Sequence, residues 1–227
     1  MYGAVPLWVT AAINESASDG RVMLKSMKKA IVVAVASAGA IAPAFASADQ
    51  WYADGVLVGG TPGVAVAGGG SFSLTVNIGV PVTTACEVEV TADLFNQVND
   101  AHGEVTSFSV ANPMADCTVS GVSNCQITSF ATTSMPWTID TVGTTVTFTG
   151  VSFVYTYGRI NPFNPCVLEG NRHTTGSVSG TWWNPAGGSP GKVTFTNAAG
   201  PQFGTLPTVV NGSIDFVGEA GEEITLY

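Results

Sequence analysis

Apolar and polar residues alternate in short runs along most of the chain after residue 70. In residues 71–78 and 85–92 nearly every second side chain is apolar, and polar side chains lie between. A period of two is typical of a strand that is covered on one face. The same pattern predicts further strands at residues 105–110, 116–119, 126–130, 177–183, 192–197, 209–217 and 223–226. About ten strands at this spacing predict an all-β fold, an antiparallel β-sandwich of jelly-roll or immunoglobulin-like type.

Residues 137–157 form the longest run of β-branched and aromatic side chains, and Asp140 is their one charged residue. This composition fits a half-buried pleated surface and predicts the central hairpin of the sandwich, with its turn at residues 141–144. Val146 and Phe148 lie at even positions, whereas the apolar residues from Val151 to Tyr157 lie at odd positions. Because a shift of one residue turns every side chain to the other face, the pattern predicts a β-bulge at Gly150.

A second hairpin is predicted between residues 177–183 and 192–197, since the segment between them is rich in Pro and Gly. Trp182 and Trp183 are neighbours on its first strand, so their rings are expected to point to opposite faces. An exposed tryptophan there would stack on a sugar ring or an apolar ligand, whereas the alternative is that both rings are buried. We take Trp182 and Trp183 as the candidate ligand-binding residues.

Residues 93–104 are the most polar part of the chain and predict a loop or a single helical turn. Oxygen-bearing side chains of the kind that binds calcium are concentrated there, namely Asp93, Asn96, Asn99, Asp100 and Glu104. The D-x-D-x-D-G order of a calcium loop is absent, so we interpret the segment as a solvated loop. No metal site and no cofactor are predicted.

The N-terminal 48 residues have the features of a targeting segment. Basic residues at 25–29 precede a 13-residue apolar run (residues 30–42) and then the small-residue sequence Ala46-Ser47-Ala48. This order predicts a secretory signal peptide at residues 23–48, because the apolar run is shorter than the roughly 20 residues that span a bilayer. Residues 1–22 fit no part of a signal peptide, and we interpret them as an over-extended N-terminus, with translation starting at Met23 or Met27.

Cleavage after residue 48 would leave a Gly-rich segment with edge strands at residues 49–70 and one sandwich domain at residues 71–227. This product has three basic residues, Arg159, Arg172 and Lys192, against 14 acidic ones, which gives a net charge of −11. Nucleic-acid binding requires clustered Lys and Arg, so this composition excludes it. Anionic membrane surfaces are disfavoured for the same reason.

Four cysteines, Cys86, Cys117, Cys125 and Cys166, all lie after the predicted cleavage site. An even number outside the cytoplasm predicts two disulfides, for which three pairings exist. We favour Cys117–Cys125 across a short turn, together with Cys86–Cys166. A zinc site is disfavoured because no C-x-x-C pair occurs and neither histidine neighbours a cysteine.

The chain resembles a family of small exported bacterial β-proteins over about half of the mature sequence. The resemblance rests on Cys86, on Cys125-Gln126-Ile127, on the corner Met135-Pro136-Trp137, on Cys166 and on Val178-Ser179-Gly180. That family is known as activators of alkane oxidation and is linked to biofilm matrix and cell-surface hydrophobicity. The resemblance implies an exported β-protein without established catalytic residues. The polar segment 93–104 and the Trp182-Trp183 hairpin depart from the family pattern.

The sequence offers no catalytic triad that spacing supports. Serines are plentiful, but the two histidines, His102 and His173, are interpreted as surface residues. Glu87 and Glu89 share a strand face at the spacing of a glycosidase pair, yet polar strand faces commonly offer such pairs.

We therefore predict a secreted or cell-surface structural or adhesive protein, of the matrix or biofilm type, that is not an enzyme. Its expected partners are copies of itself or extracellular polymers. The alternative is a binding module for glycans or apolar ligands that uses the Trp182-Trp183 hairpin.

Overall fold

The computed structural model describes residues 49–98 and 100–227. The predicted over-extended N-terminus and the signal peptide lie outside these residues. Within the described ranges, no helix is long and apolar enough to cross a membrane.

The described chain is built almost entirely of antiparallel strands, as the alternating pattern predicts. The one helix, α1, is a single turn at Pro113–Asp116. The strands are β1 (Trp51–Ala53), β2 (Val56–Leu57), β3 (Val64–Asn77), β4 (Pro81–Gln97), β5 (Asp100–Ser109), β6 (Cys117–Ser120), β7 (Cys125–Thr132), β8 (Trp137–Val142), β9 (Thr145–Arg159), β10 (Gly170–Trp183), β11 (Gly191–Phe203), β12 (Leu206–Gly218) and β13 (Ile224–Leu226).

Most strands belong to one large sheet that closes on itself in a sandwich-like arrangement. Its order is β10-β11-β12-β3-β4-β5-β8-β9, and β9 pairs again with β10. Two strands lie off this ring: β6 pairs with the first part of β4, and β7 pairs with the last part of β9. Aromatic and aliphatic side chains fill the space inside the closed sheet, which is why each long strand alternates between buried and exposed residues.

The closed sheet has two different ends. At the loop end lie the connections at residues 78–80, 121–124, 160–169 and 204–205. At the opposite end, which we call the plug end, a small sheet of order β13-β1-β2 covers the core. Of the strands predicted in residues 49–70, β2 is an edge of this small sheet, whereas β3 is paired on both sides by β12 and β4 and is not an edge strand.

Trp51 is the centre of the plug end. Its ring is 1% exposed and meets the ring of Trp182 edge-on at a centroid distance of 4.9 Å. The indole N–H donates to the carbonyl of His102 at 2.9 Å. Asn96 holds the same segment, because its side-chain amide accepts from the Trp51 N–H and donates to the carbonyls of Trp51 and Val58.

Residues 93–104 form a β-hairpin and not the predicted loop or helical turn. Strand β4 runs to Gln97 and β5 begins at Asp100, with nine paired positions between the two strands. Leu94 and Ala101 are buried in the core, while the polar residues face outward or bond to the N-terminal segment. The high polar content concealed this hairpin because its outer face is solvated and because Asn96, near the end of β4, is a polar residue whose partners lie in the N-terminal segment.

The predicted bulge at Gly150 is confirmed. Val151 pairs with Gly176 and Thr149 pairs with Ser177, so Gly150 is the additional residue on β9. Its φ of +76° lies in the left-handed region that glycine adopts without strain. The hairpin turn between β8 and β9 falls at Gly143-Thr144, within the predicted turn segment.

Both disulfides form, but the favoured pairing is wrong. The bonds are Cys86–Cys117 and Cys125–Cys166. Cys117 begins β6 and stands directly opposite Cys86 on β4, with a Cα–Cα distance of 4.1 Å. Sequence proximity favoured Cys117–Cys125, whereas the β4–β6 pairing places Cys117 beside a cysteine 31 residues away.

Glycines allow β3 to approach its neighbour closely. A Cβ on Gly68 would lie 2.0 Å from the carbonyl oxygen of Asp215, and one on Gly70 would lie 2.1 Å from that of Ser213. No side chain fits at such distances. The Gly-Gly-Gly sequence at residues 68–70 is therefore part of a continuous strand and not a break between elements.

Candidate functional site

The two neighbouring tryptophans have different environments. Trp182 is 3% exposed and packs against Trp51 and Phe216, and its N–H donates to the side chain of Asn184 at 2.8 Å. Trp183 is 56% exposed on the outer face of β10. Trp182 is thus a core residue, and we correct its assignment as a ligand-binding residue. Trp183 keeps its candidate role.

A shallow groove of about 260 Å³ runs from Trp183 across the outer face of β9, β10 and β11. Hydroxyl side chains line most of it: Thr145, Ser179, Thr181, Thr194 and Thr196. Register places them side by side, since Thr181 pairs with Thr145 on one neighbouring strand and with Thr194 on the other. Three strands thereby combine into one flat patch of hydroxyl groups that ends at an indole ring.

The hydroxyls of this patch are partly organised by bonds to one another and to the backbone. The Oγ1 atom of Thr147 lies 2.9 Å from the Oγ of Ser179, and the hydroxyl of Thr194 donates to the carbonyl of Thr181 at 3.3 Å. A hydroxyl can donate one bond and accept others, so these groups keep capacity for a ligand. No charged residue lines the groove itself, and Lys192 is the cross-strand neighbour of Trp183 at its end. The groove therefore suits a ligand that offers hydroxyl groups and an apolar ring face.

His102, interpreted from sequence as a surface histidine, lies between two carboxylates at the plug end. Its Nδ1 is 2.9 Å from Asp140 and its Nε2 is 3.2 Å from Asp100. The ring also stacks on Phe95 at a centroid distance of 6.3 Å. With both ring nitrogens engaged, this histidine has no free nitrogen to activate a nucleophile, and the contact holds β8 against β5.

The oxygen-bearing residues of segment 93–104 are not assembled around one point. Asp93 and Glu104 face solvent, and Asn96 is bonded to the N-terminal segment. Asn99 lies outside the described residues. In the described part of the chain, no group of three His, Cys, Asp or Glu side chains is arranged to hold a metal ion.

Other sequence candidates lie far from the Trp183 groove. Glu87 and Glu89 are exposed on β4, and His173 lies at the loop end. Sequence reasoning did not find the hydroxyl patch, because its residues belong to three strands and only pairing brings them together. The sequence feature that could have indicated the patch is the tetrapeptide Val-Thr-Phe-Thr, which occurs at residues 146–149 and again at 193–196. Both copies place threonines on this outer face.

Comparison with known proteins adds no assignment: no family model, no curated protein and no solved structure matches this chain.

Proposed function

We propose that this chain is an exported, non-catalytic adhesive or matrix protein, and that the Trp183 groove is the surface that holds an extracellular glycan. The observation that carries the proposal is a half-exposed indole ring at the end of a patch lined by hydroxyls. Aromatic rings stack on the apolar faces of sugars, and neighbouring hydroxyls exchange hydrogen bonds with the sugar's own.

Several properties support an extracellular role. The predicted signal peptide and two disulfides are compatible with export, because disulfides persist mainly in oxidising compartments. The net charge of −11 after cleavage argues against binding to nucleic acid or anionic lipid. The resemblance to exported matrix-associated β-proteins points in the same direction.

The geometry favours glycan binding over assembly through strand edges. An uncovered edge strand offers unpaired N–H and C=O groups to another chain. In the described residues the large sheet closes on itself, which leaves edges at β6 and at the eight-residue β7, together with β2 and β13 of the small sheet. Self-association, one of the partners expected from the sequence, therefore has few strand edges to use, of which β7 is the longest.

Binding can be tested with soluble and insoluble polysaccharides, such as cellulose, chitin, xylan and a bacterial exopolysaccharide, by sedimentation and by titration calorimetry. We expect Trp183→Ala to weaken binding about tenfold, which corresponds to about 1.4 kcal/mol of lost stacking. Phe163→Ala is the matched control, because Phe163 is an exposed aromatic residue at the opposite end. The control should bind like the wild type.

Three results would contradict the proposal. The first is that no polysaccharide retains the wild-type protein, and the second is that Phe163→Ala lowers binding as much as Trp183→Ala. The third is the release of reducing sugar from any of these polymers, which would show catalysis. Cell fractionation tests export separately, since the mature protein should be found outside the cytoplasm with both disulfides formed.

A further inference from the structure

The loop end carries a second concave site, distinct from the Trp183 groove. A pocket of about 460 Å³ opens between the 160–169 connection, the turn at 78–80 and the turn at 204–205. Its apolar walls are Ile78, Val167, Leu168, Phe203 and Leu206. Its polar lining residues are Asn171, Arg172, His173 and Thr205. The volume lies in the range of about 300–1,000 Å³ that is usual for small-molecule sites.

Arg172 is held in position without being neutralised. Its Nε donates to the carbonyl of Leu168 at 3.2 Å, which fixes the guanidinium at the pocket wall. Among the described residues, no carboxylate lies within ion-pair distance of Arg172, and its terminal nitrogens donate to no protein acceptor. The other arginine at this end, Arg159, is bonded to Glu169 at 2.7 Å and is already paired.

The charge distribution directs anions to this end of the molecule. The described residues contain 14 acidic side chains, and the connections of the loop end contribute only Glu169 to them. The plug end carries most of the rest, including Asp54, Glu219, Glu222 and Glu223. An approaching anion is repelled by the acidic end and attracted by Arg172, because a local excess of charge next to a low-dielectric wall focuses the field.

We propose that this pocket binds a small organic anion that consists of a carboxylate on an apolar chain. The two terminal guanidinium nitrogens of Arg172 match the two oxygens of a carboxylate. The chain would lie along Ile78, Phe203 and Leu206. A purely apolar ligand would leave the guanidinium unpaired, and a purely polar anion would leave the apolar walls in contact with water.

Titration calorimetry with butanoate, hexanoate, octanoate and decanoate tests the proposal. We expect saturable binding that tightens two- to fourfold for each added methylene, because burial of one methylene contributes up to about fourfold in affinity. Octanol and octylamine, which have the same chain without the negative charge, should bind at least tenfold more weakly than octanoate.

Matched variants distinguish the loss of the Arg172 charge from a general loss of structure at this end. Arg172→Gln should weaken octanoate binding at least tenfold, whereas Arg159→Gln, which removes an already paired arginine at the same end, should leave it unchanged. Leu206→Ala, at a residue that is already 37% exposed, should reduce the dependence on chain length without unfolding the protein. Trp183→Ala should have no effect, which makes this site independent of the proposed glycan groove.

Some outcomes would overturn the inference. These are the absence of saturable binding to the wild type, equal binding of octanoate and octanol, or equal effects of the two arginine variants. A further contradicting result would be a dimer, detected by light scattering, in which this end contacts the acidic end of a second copy and which octanoate does not dissociate. In that case the pocket is part of an interface between copies of the chain, and the small-anion assignment is wrong.

Discussion

The two ends of the closed sheet are stabilised by different means. At the plug end the chain termini of the described domain, β1 and β13, pair with each other and cover the core, with Trp51 and Trp182 in edge-on contact. At the loop end the sheet leaves a seam, because β6 pairs only with β4, and β7 only with β9. The two disulfides brace the strands on either side of this seam.

This difference follows from how the strands pair. At the plug end the β5–β8 ladder completes the ring, so backbone hydrogen bonds and aromatic burial suffice there. At the loop end no ladder joins β6 to β7, and each disulfide holds one side of this seam: Cys86–Cys117 ties β6 to β4, and Cys125–Cys166 ties β7 to the 160–169 connection. The loop end is open and carries two arginines, Arg159 and Arg172, against one carboxylate, Glu169, whereas the plug end is covered and acidic. Variants at each end should therefore have separable effects.

The largest effect is expected at the plug end. Trp51→Ala removes a fully buried indole and should lower the free energy of unfolding by about 3–5 kcal/mol, as measured by urea denaturation. Tyr52→Ala, on the half-buried neighbouring residue, loses mainly the edge-on contact with Tyr227 and should cost about 1 kcal/mol. Similar losses for both variants would show that β1 does not contribute a core residue.

At the loop end we expect a smaller decrease in the free energy of unfolding, with structural effects confined to the strands beside the seam. The double variant Cys125→Ala/Cys166→Ala opens a loop of 41 residues in the unfolded chain and should cost about 3–4 kcal/mol. Hydrogen exchange should rise in β7 and in residues 160–169 but not in β1 or β13. The variant Cys86→Ala/Cys117→Ala should instead raise exchange in β6. Equal acceleration at both ends would contradict independent stabilisation.

The smallest effect concerns the interior near the loop end. Burial raises the pKa of Tyr157 to about 12, although its hydrogen bond with Thr84 and the charge of Arg172 oppose the shift. Burial also raises the pKa of Tyr155. Because the folded state then holds the phenolic proton more tightly than the unfolded state, this contribution is complete below pH 10 and is lost as the pH rises towards 12.

For Tyr157 alone, the expected loss in the free energy of unfolding is about 1 kcal/mol at pH 11, measured by urea denaturation at several pH values. Tyr157→Phe keeps the ring and removes the titrating group, so its stability should decline less between pH 10 and 12. An identical alkaline decline in the variant and the wild type would mean that other groups cause it.

Much of the fold was predictable because its signals are local. The alternation of residues 71–78 and 85–92 marked strands, and the phase change in residues 137–157 located the bulge at Gly150 together with its turn. These predictions succeeded because burial on one face imposes a period of two within a single strand. The hairpin at residues 93–104 was not found, because Asn96 and His102 are polar residues whose partners lie elsewhere in the chain.

The sequence by itself determined the class of fold, the strands with strong alternation, the acidic charge and the presence of two disulfides. Only the tertiary structure decided which cysteines pair, which of Trp182 and Trp183 is exposed, and which hydroxyls lie beside the exposed ring. It also decided that Arg172 stands unpaired in an apolar pocket while Arg159 meets Glu169. The physical reason is that alternation depends on neighbours along one strand, whereas these features depend on register between strands that are distant in sequence.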